Sequence, residues 1–500
     1  MPQSDHATNE AAAPVLVIGV VAALASLHAL LLAWQGLGPV DDDYIVYRYA
    51  RNWVESGVLA FNVVGSAAPP VEGFTSPLWL CFCAVAEFFS IRPAAWTTVI
   101  GALSAGLTTL WAGLAMRAAA PASARLWVLL VPLLLALSPS LAWHSVTGLG
   151  TAPMAASIAL ALLAAVRGRI VLFGLASAIA VGFRLEALLV LLPLGLTVKR
   201  GNTLGWVAPA LLMAAAITLL RWRLFSEALP NTYFVKRLPL SDEVGYGARY
   251  LVRVFSEGGL AAWAFCAIIA TRHPLSRGLS VGTILALLFV LSCGGDWMVY
   301  GRFLVPFAPC FAVGAGFLLL AVRSSPGRVV VALLLLASTA AGLRPEVRSQ
   351  ALFEHRFFEA WWQRVGLELQ DRAPADSSIA LSPIGAIGLH SGLPIIDVLG
   401  LTHSAFRDVA PDLENVGMKG HHRHSGAWVL DQEPTYLLLG NAVLQPSTGS
   451  IDVNPWEADI VADPRFRKEY VAETVWFDEP DGPRRALPYF RRRSAPVLAP

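Results

Sequence analysis

Charge is scarce in this sequence. Asp, Glu, Lys and Arg make up 14% of its 500 residues, where soluble domains carry about 25%. The shortage excludes an ordinary soluble enzyme, and a 56% hydrophobic content takes its place. A net charge of +2 gives no basic surface of the kind that nucleic-acid binding needs, so no nucleic-acid partner is expected. Cysteine is sparse too. Cys81, Cys83, Cys266, Cys293 and Cys310 lie in or beside apolar segments, without disulfide or zinc spacing, and are expected to pack as small apolar residues. The leader before the first apolar run holds Asp5 and Glu10 but neither Lys nor Arg. It therefore lacks the basic start of a signal peptide, and the first run is expected to be a retained span. No internal repeat is visible.

Long apolar runs are what the sequence has instead. About 20 apolar residues cross a bilayer, and eleven candidate spans appear at 14–36, 95–116, 126–143, 152–166, 170–183, 187–197, 204–221, 259–271, 278–293, 302–322 and 329–343. The pieces 170–183 and 187–197 are short and suit a tilted or re-entrant pair. Segment 77–91 is apolar as well, and charge decides its place. If it lies on the surface, five short loops on one side hold Arg117, Arg125, Arg167, Arg169, Lys199, Arg200, Arg272, Arg277, Arg323 and Arg328 and no acid. That is a positive-inside pattern. Segment 77–91 is therefore expected to be an interfacial helix, with Glu87 and Trp79 suited to that place. The fold class is then a polytopic α-helical membrane protein with about eleven spans, its N-terminus cytoplasmic. Residues 1–343 form the membrane domain, with a first external loop at 37–94. Residues 344–500 form a soluble extracytoplasmic α/β domain, with strand-like runs at Ser378–Leu381 and Leu393–Leu399 and helical spacing over Leu352–Leu369.

Four polar clusters converge on the non-cytoplasmic face: Asp41-Asp42-Asp43 with Arg48; Glu72-Gly73-Phe74-Thr75; Leu229-Pro230-Asn231-Thr232-Tyr233 with Lys236; and Gly294-Gly295-Asp296 with Arg302. Each has a plainer reading. An acidic run can cap a span, Arg48 and Arg51 can snorkel to headgroups, Gly294-Gly295-Asp296 can be a turn, and Arg184 can simply pair with Glu186. Convergence favours chemistry. Moving a sugar off a lipid phosphate needs a carboxylate to take the acceptor's proton. It also needs cations on the leaving phosphate. Lys236 and Arg302 suit the phosphate. Adjacent carboxylates repel, so one of the Asp41–Asp42 pair is expected to be raised in pKa or to hold a divalent cation.

These residues resemble the GT-C superfamily of membrane glycosyltransferases that use polyprenyl-phosphate sugars. The pattern is most similar to the mycobacterial terminal β-(1→2)-arabinofuranosyltransferase family and its bacterial relatives. The matching residues are Asp41-Asp42-x-Tyr44, Arg48-Tyr49-Ala50, Asn52, Phe61-Asn62, Glu72-Gly73-Phe74-Thr75, Leu78-Trp79, Leu229-Pro230-Asn231-Thr232-Tyr233, Lys236, Gly294-Gly295-Asp296 and Arg302-Phe303-Leu304-Val305-Pro306. In the tail, Asp397-Val398-Leu399-Gly400-Leu401-Thr402 and Gly420-His421 also match. The chain departs from the pattern at Gly150, where relatives carry Glu, at Asp43, where they carry a small residue, and at Arg184-Leu185-Glu186-Ala187, where they carry Arg-Pro-acid-Gly.

The resemblance implies a bacterial inner-membrane enzyme that passes a sugar, such as arabinofuranose, from a polyprenyl-phosphate donor to an envelope glycan or glycolipid, with inversion. Asp41 or Asp42 would be the base, and Lys236, Arg302 and Arg48 would hold the phosphate. Glu72, Thr75, Asn231, Tyr233, Asp296, His403 and His421 would bind or brace substrates. The run His421-His422-Arg423-His424 lacks usual ligand spacing and reads as a polar loop. A polyprenol-sugar or lipid flippase and a non-catalytic envelope assembly factor are the alternatives. Flippases tend toward internal repeats and midplane polar groups, which this chain does not display.

Overall fold

The structure, a computed structural model, describes residues 3–63, 69–124, 126–198, 203–257, 259–355, 360–443, 451–479 and 482–499. Arg125, Lys199 and Arg200 of the expected basic loops lie outside the described residues. The protein is mostly helical, with a five-stranded sheet near its C-terminus.

Each of the eleven expected spans falls on a helix or on consecutive helical pieces. Length divides them. Pro14–Trp34, Pro93–Ala119, Thr203–Phe225, Pro274–Cys293 and Ser325–Ser349 are long and apolar enough to cross a membrane alone, and counting each of two bent pairs as one span gives up to seven among the described residues. Thr151–Arg167, Ile170–Phe183, Leu185–Thr197 and Val305–Ala321 are shorter. The breaks have local causes. Pro139 begins a new helix 46° off the preceding one. Extended Arg184 (φ −156°, ψ 139°) separates the short pieces 170–183 and 185–197. The bundle packs closely through small residues. A Cβ on Gly101 would fall 1.6 Å from the Ser145 carbonyl oxygen, so only glycine lets those helices touch.

The segment 37–94, expected as the first external loop, carries two helices, Asp41–Ser56 and Pro77–Phe88. Three acids in the first turn of Asp41–Ser56 complement its dipole, and Gly57 closes it in the left-handed conformation. Pro77 starts the other helix where its missing N–H costs nothing. Its outward apolar side is Val85, Phe88 and Phe89. Trp79, expected at the interface, is instead buried, because its indole N–H donates to Asp43 and to the Gly148 carbonyl.

The tail begins with helices Pro345–Glu354 and Ala360–Arg372, over the region of expected helical spacing. Its sheet comprises β1 (Ile379–Leu381), β2 (Ile395–Asp397), β3 (Tyr436–Leu438), β4 (Tyr470–Glu479) and β5 (Gly482–Arg492) in the order β2-β1-β3-β5-β4. β2, β1 and β3 are parallel, and β5 joins β3 and β4 antiparallel. β1 and β3 are fully buried apolar runs, as parallel strands are when covered on both faces. Helix Ile384–Ser391 crosses from β1 to β2 and lies against Asp41–Ser56.

That docking is electrostatic as well as apolar. Asp41 accepts from the Gly385 and Ala386 amides (3.0 and 2.7 Å) at the N-terminus of Ile384–Ser391. Arg48 donates to Gly388 O and Leu393 O, and Arg51 to Leu389 O, at its C-terminal end. The Asp41 carboxyl caps the amide end of the helix, and two cations meet the negative end of its dipole.

Candidate functional site

The bundle mouth and the tail enclose a cavity of about 1270 Å³. Asp41, Asp42, Thr75, Tyr233, Lys236, Asp296, Arg302 and His421 line it. Asp42 and Asp296 flank Arg302: Arg302 Nη1 donates to Asp42 Oδ2 (3.3 Å), and its Nε lies 2.5 Å from Asp296 Oδ2. Lys236, on the last turn of Asn231–Lys236, forms no ion pair among the described residues. Burial opposes ionisation of Asp42, but Lys236 and Arg302 outweigh it and hold its carboxyl below the ordinary range. Asp42 is therefore ionised at neutral pH, bonded to Arg302 and held in the field of Lys236.

Asp41 is different. Burial raises its carboxyl from 3.8 to about 7, against the opposing pull of the Ala386 and Gly385 amides. Both its oxygens are engaged with that helix end. Asp41→Asn would set an NH₂ against one of these amide donors, and it is expected to lower tail stability by about 0.5–2 kcal/mol, read as a drop in thermal unfolding midpoint. The sign with pH follows from the raised value. The Asp41 contribution is complete below about 4, fades as pH rises through about 7, and should be missing from the variant's stability profile.

Asp43 is engaged with Trp79 and makes no bond to Arg302 among the described residues. It is fully buried, accepts from Trp79 Nε1 at 3.0 Å and lies against Gly148. Gly150, left-handed at φ +68°, packs on the Trp79 ring, where any Cβ would come within 3.0 Å of it. Residues 43 and 150, where the sequence departs from the pattern it resembles, thus meet around one indole. A side chain at 150 would have to displace Trp79.

Four expected site residues brace the walls without lining the cavity. Arg48 is buried and donates to Phe61 O, Gly388 O, Leu393 O and Asn62 Oδ1, which spends its guanidinium on holding the tail. Glu72 forms a bidentate pair with Arg221 (2.7 and 3.1 Å). Asn231 donates to the Gly400, Leu401 and His403 carbonyls. His403 bonds the Asp397 carbonyl (2.8 Å) and stacks on Trp428. Asp397 in turn accepts from Leu399, Gly400 and Thr402, so the Asp397–Thr402 run is a turn that docks on the start of helix Asn231–Lys236. The Glu72 and Arg221 side chains are only 2% and 5% exposed. Arg221→Met is expected to cost about 3–5 kcal/mol by stranding Glu72, measured as thermal unfolding in detergent, while the double variant with Glu72→Gln recovers much of it.

Among the described residues no group of three His, Cys, Asp or Glu is placed to hold a metal ion. Asp41 is committed to amides and Asp42 to Arg302, so the pair does not fit the divalent cation that adjacency suggested. The three histidines of the 421–424 run also face separate partners: His421 the Trp456 ring, His422 the Tyr246 hydroxyl and His424 Asp459. All five cysteines are free thiols, and Arg184 does pair with Glu186, at 2.6 Å.

Several lining residues escaped the sequence reading. Arg221 sits inside the apolar helix Thr203–Phe225, and a charge at that depth was the available signal. Lys419, paired with Glu243 at 2.6 Å, and the tail residues Trp362, Ser382, Asn441 and Trp456 carried no local signal.

A family model described as a domain of unknown function (DUF8728) matches residues 348–493. No curated protein matches the chain. Among solved structures, it is similar to ArnT from Cupriavidus metallidurans bound to undecaprenyl phosphate. Identity is 14% and the TM-score 0.49, over 77% of this chain and 85% of that one. It is also similar to the apo oligosaccharyltransferase of Archaeoglobus fulgidus. Here identity is 13% and the TM-score 0.49, over 85% of this chain and 69% of that one. Both scores fall below 0.5, and the functional reading rests on the side chains of the cavity.

Proposed function

We propose that the protein is a GT-C-type membrane glycosyltransferase that moves a sugar from a polyprenyl-phosphate donor to an envelope glycan or glycolipid. One observation carries this reading: an ionised carboxylate, Asp42, faces Lys236 and Arg302 inside a cavity at the mouth of an apolar helical bundle. In the reaction Asp42 takes the proton of an acceptor hydroxyl, whose oxygen attacks the anomeric carbon. The bond from that carbon to the phosphate oxygen breaks, and the polyprenyl phosphate leaves with the electron pair, held by Lys236 and Arg302. A single displacement inverts the centre. A phosphate arriving at Arg302 competes with Asp42 for it, which loosens the ion pair and makes Asp42 a stronger base at the moment it is needed.

Asp42 is the base in this reading because Asp41 is spent on the docked helix. Thr75, Tyr233, Asp296 and His421 touch or frame the substrates, and Arg48, Glu72, Asn231 and His403 hold the walls. Residues 1–343 are the catalytic membrane domain and 344–500 an extracytoplasmic domain, with the N-terminus in the cytoplasm of a bacterial inner membrane. Arabinofuranose is one donor sugar to be tried.

The test is transfer by purified protein in nanodiscs, offered a panel of polyprenyl-phosphate sugars that includes arabinofuranose, with envelope glycan extracts as acceptors. Donor consumption with an inverted product supports the reading. Labelled lipid crossing the bilayer of proteoliposomes with no donor consumed would replace it with the flippase reading.

A further inference from the structure

The cavity has two chemically different walls. The membrane side supplies nearly all its charge: Asp42, Asp296, Lys236, Arg302 and their neighbours Arg184 and Glu186. The tail side contributes one charged side chain, Lys419, and that ammonium is neutralised by Glu243 at 2.6 Å. We propose that the tail wall formed by Trp362, Ser382, His421, Asn441 and Trp456 is a subsite for a neutral saccharide, the sugar end of the acceptor. This role rests on the transfer reading, since it is Asp42 that would receive the sugar's hydroxyl.

The wall is built rather than incidental. Fully buried Glu457 accepts from Ser382 Oγ (2.7 Å), Gly440 N (2.8 Å) and Asn454 N (3.0 Å). Trp456 Nε1 donates to Ser382 Oγ at 2.9 Å, and Trp362 Nε1 to Asn441 O at 2.7 Å. Both indole N–H groups are thus spent within the wall, leaving the rings as apolar surface, the Asn441 Nδ2 and His421 as polar points, and on Ser382, whose hydroxyl donates to Glu457 and accepts from Trp456, only a remaining acceptor lone pair. Aromatic surface beside hydroxyl, amide and imidazole suits the mixed faces of a sugar ring. Gly440, Asn441 and Ala442 run left-handed at φ 66°, 60° and 49°. L-residues disfavour this conformation, and such strain gathers at binding sites. His421 joins the walls. Its ring lies 4.4 Å from Trp456, and it acts electrostatically on Asp42. Burial and Lys236 hold it down to about 4, so it stays neutral; Nδ1 bonds the Lys419 carbonyl at 3.3 Å, which leaves Nε2 to bond a hydroxyl.

The test is saturation-transfer NMR on the full-length protein in nanodiscs with neutral tri- and tetrasaccharides of hexopyranose and pentofuranose, beside binding of undecaprenyl phosphate. Saturation of at least one saccharide is expected, at least about tenfold weaker in Trp362→Ala and also weakened in Asn441→Gly, with undecaprenyl phosphate bound equally by all three. Glycine adopts φ 60° freely, so Asn441→Gly removes the amide without straining the backbone, at the loss of one hydrogen bond from Asn454 Nδ2. No saturation of any saccharide by the wild type, or equal saturation in both variants, overturns the subsite. Undecaprenyl phosphate binding reports on the donor wall separately, so loss of that binding counts against the transfer reading and not against the subsite.

Discussion

Asp42→Asn is expected to lower sugar transfer by about 10²–10⁴-fold, the contribution of a positioned general base, while undecaprenyl phosphate binding holds or tightens. The asymmetry follows from the ion pair. Asp42 shares Arg302 with Asp296 and is held below the ordinary carboxylate range by Lys236 and Arg302, against burial. Removing its charge deletes the proton acceptor but also removes an anion that competes with phosphate for the same cations. Transfer assayed at saturating donor isolates the first effect, and lipid-phosphate binding the second. Asp41→Asn separates the two neighbours: it should weaken the docked tail while keeping more activity than Asp42→Asn. If the two variants lost transfer equally with both tails intact, the assignment of the base to Asp42 over Asp41 would fail.

How far the sequence could carry this depends on the kind of signal each part leaves. Helix positions were legible because a run such as Pro274–Cys293 records its own apolarity. In the segment 37–94, helix Pro77–Phe88 was legible as an apolar run, and charge bore only on where that run lies relative to a membrane. Helix lengths were less so, because the breaks at Pro139 and Arg184 shorten helices within apolar sequence. In the tail, β1 and β2 showed as apolar runs, but β4 and β5 hide in mixed sequence such as Gly482–Arg492, whose pairing is set by a partner strand. The cavity was half legible. Asp42, Lys236, Asp296 and Arg302 announce themselves as charges beside spans. Arg48 looked the same in sequence, yet its guanidinium is absorbed by four oxygens, two of them more than 300 residues away in the chain. Motif membership says that a residue is needed and leaves open whether substrate or scaffold needs it. The choice between Asp41 and Asp42 was likewise closed to sequence, because only the approach of helix Ile384–Ser391 distinguishes them.

Arg302→Gln should have the second large effect, a loss of about 10²–10³-fold in transfer, the scale of removing a donor aimed at developing charge. A second readout separates this from simple misfolding. Arg302 is 12% exposed and touches both Asp42 and Asp296. Without it, burial is opposed at Asp42 chiefly by Lys236, so the Asp42 carboxyl rises. Because the base must be ionised, the acid limb of the kcat/KM profile should move to higher pH in Arg302→Gln. Arg302→Lys restores a charge but not a planar fork that can bind carboxylate and phosphate oxygens together. It should therefore return the acid limb toward its wild-type position while recovering only part of the rate. A glutamine variant that lost rate with an unmoved acid limb would separate Arg302 from the ionisation of Asp42, and the two would then have to act on different steps.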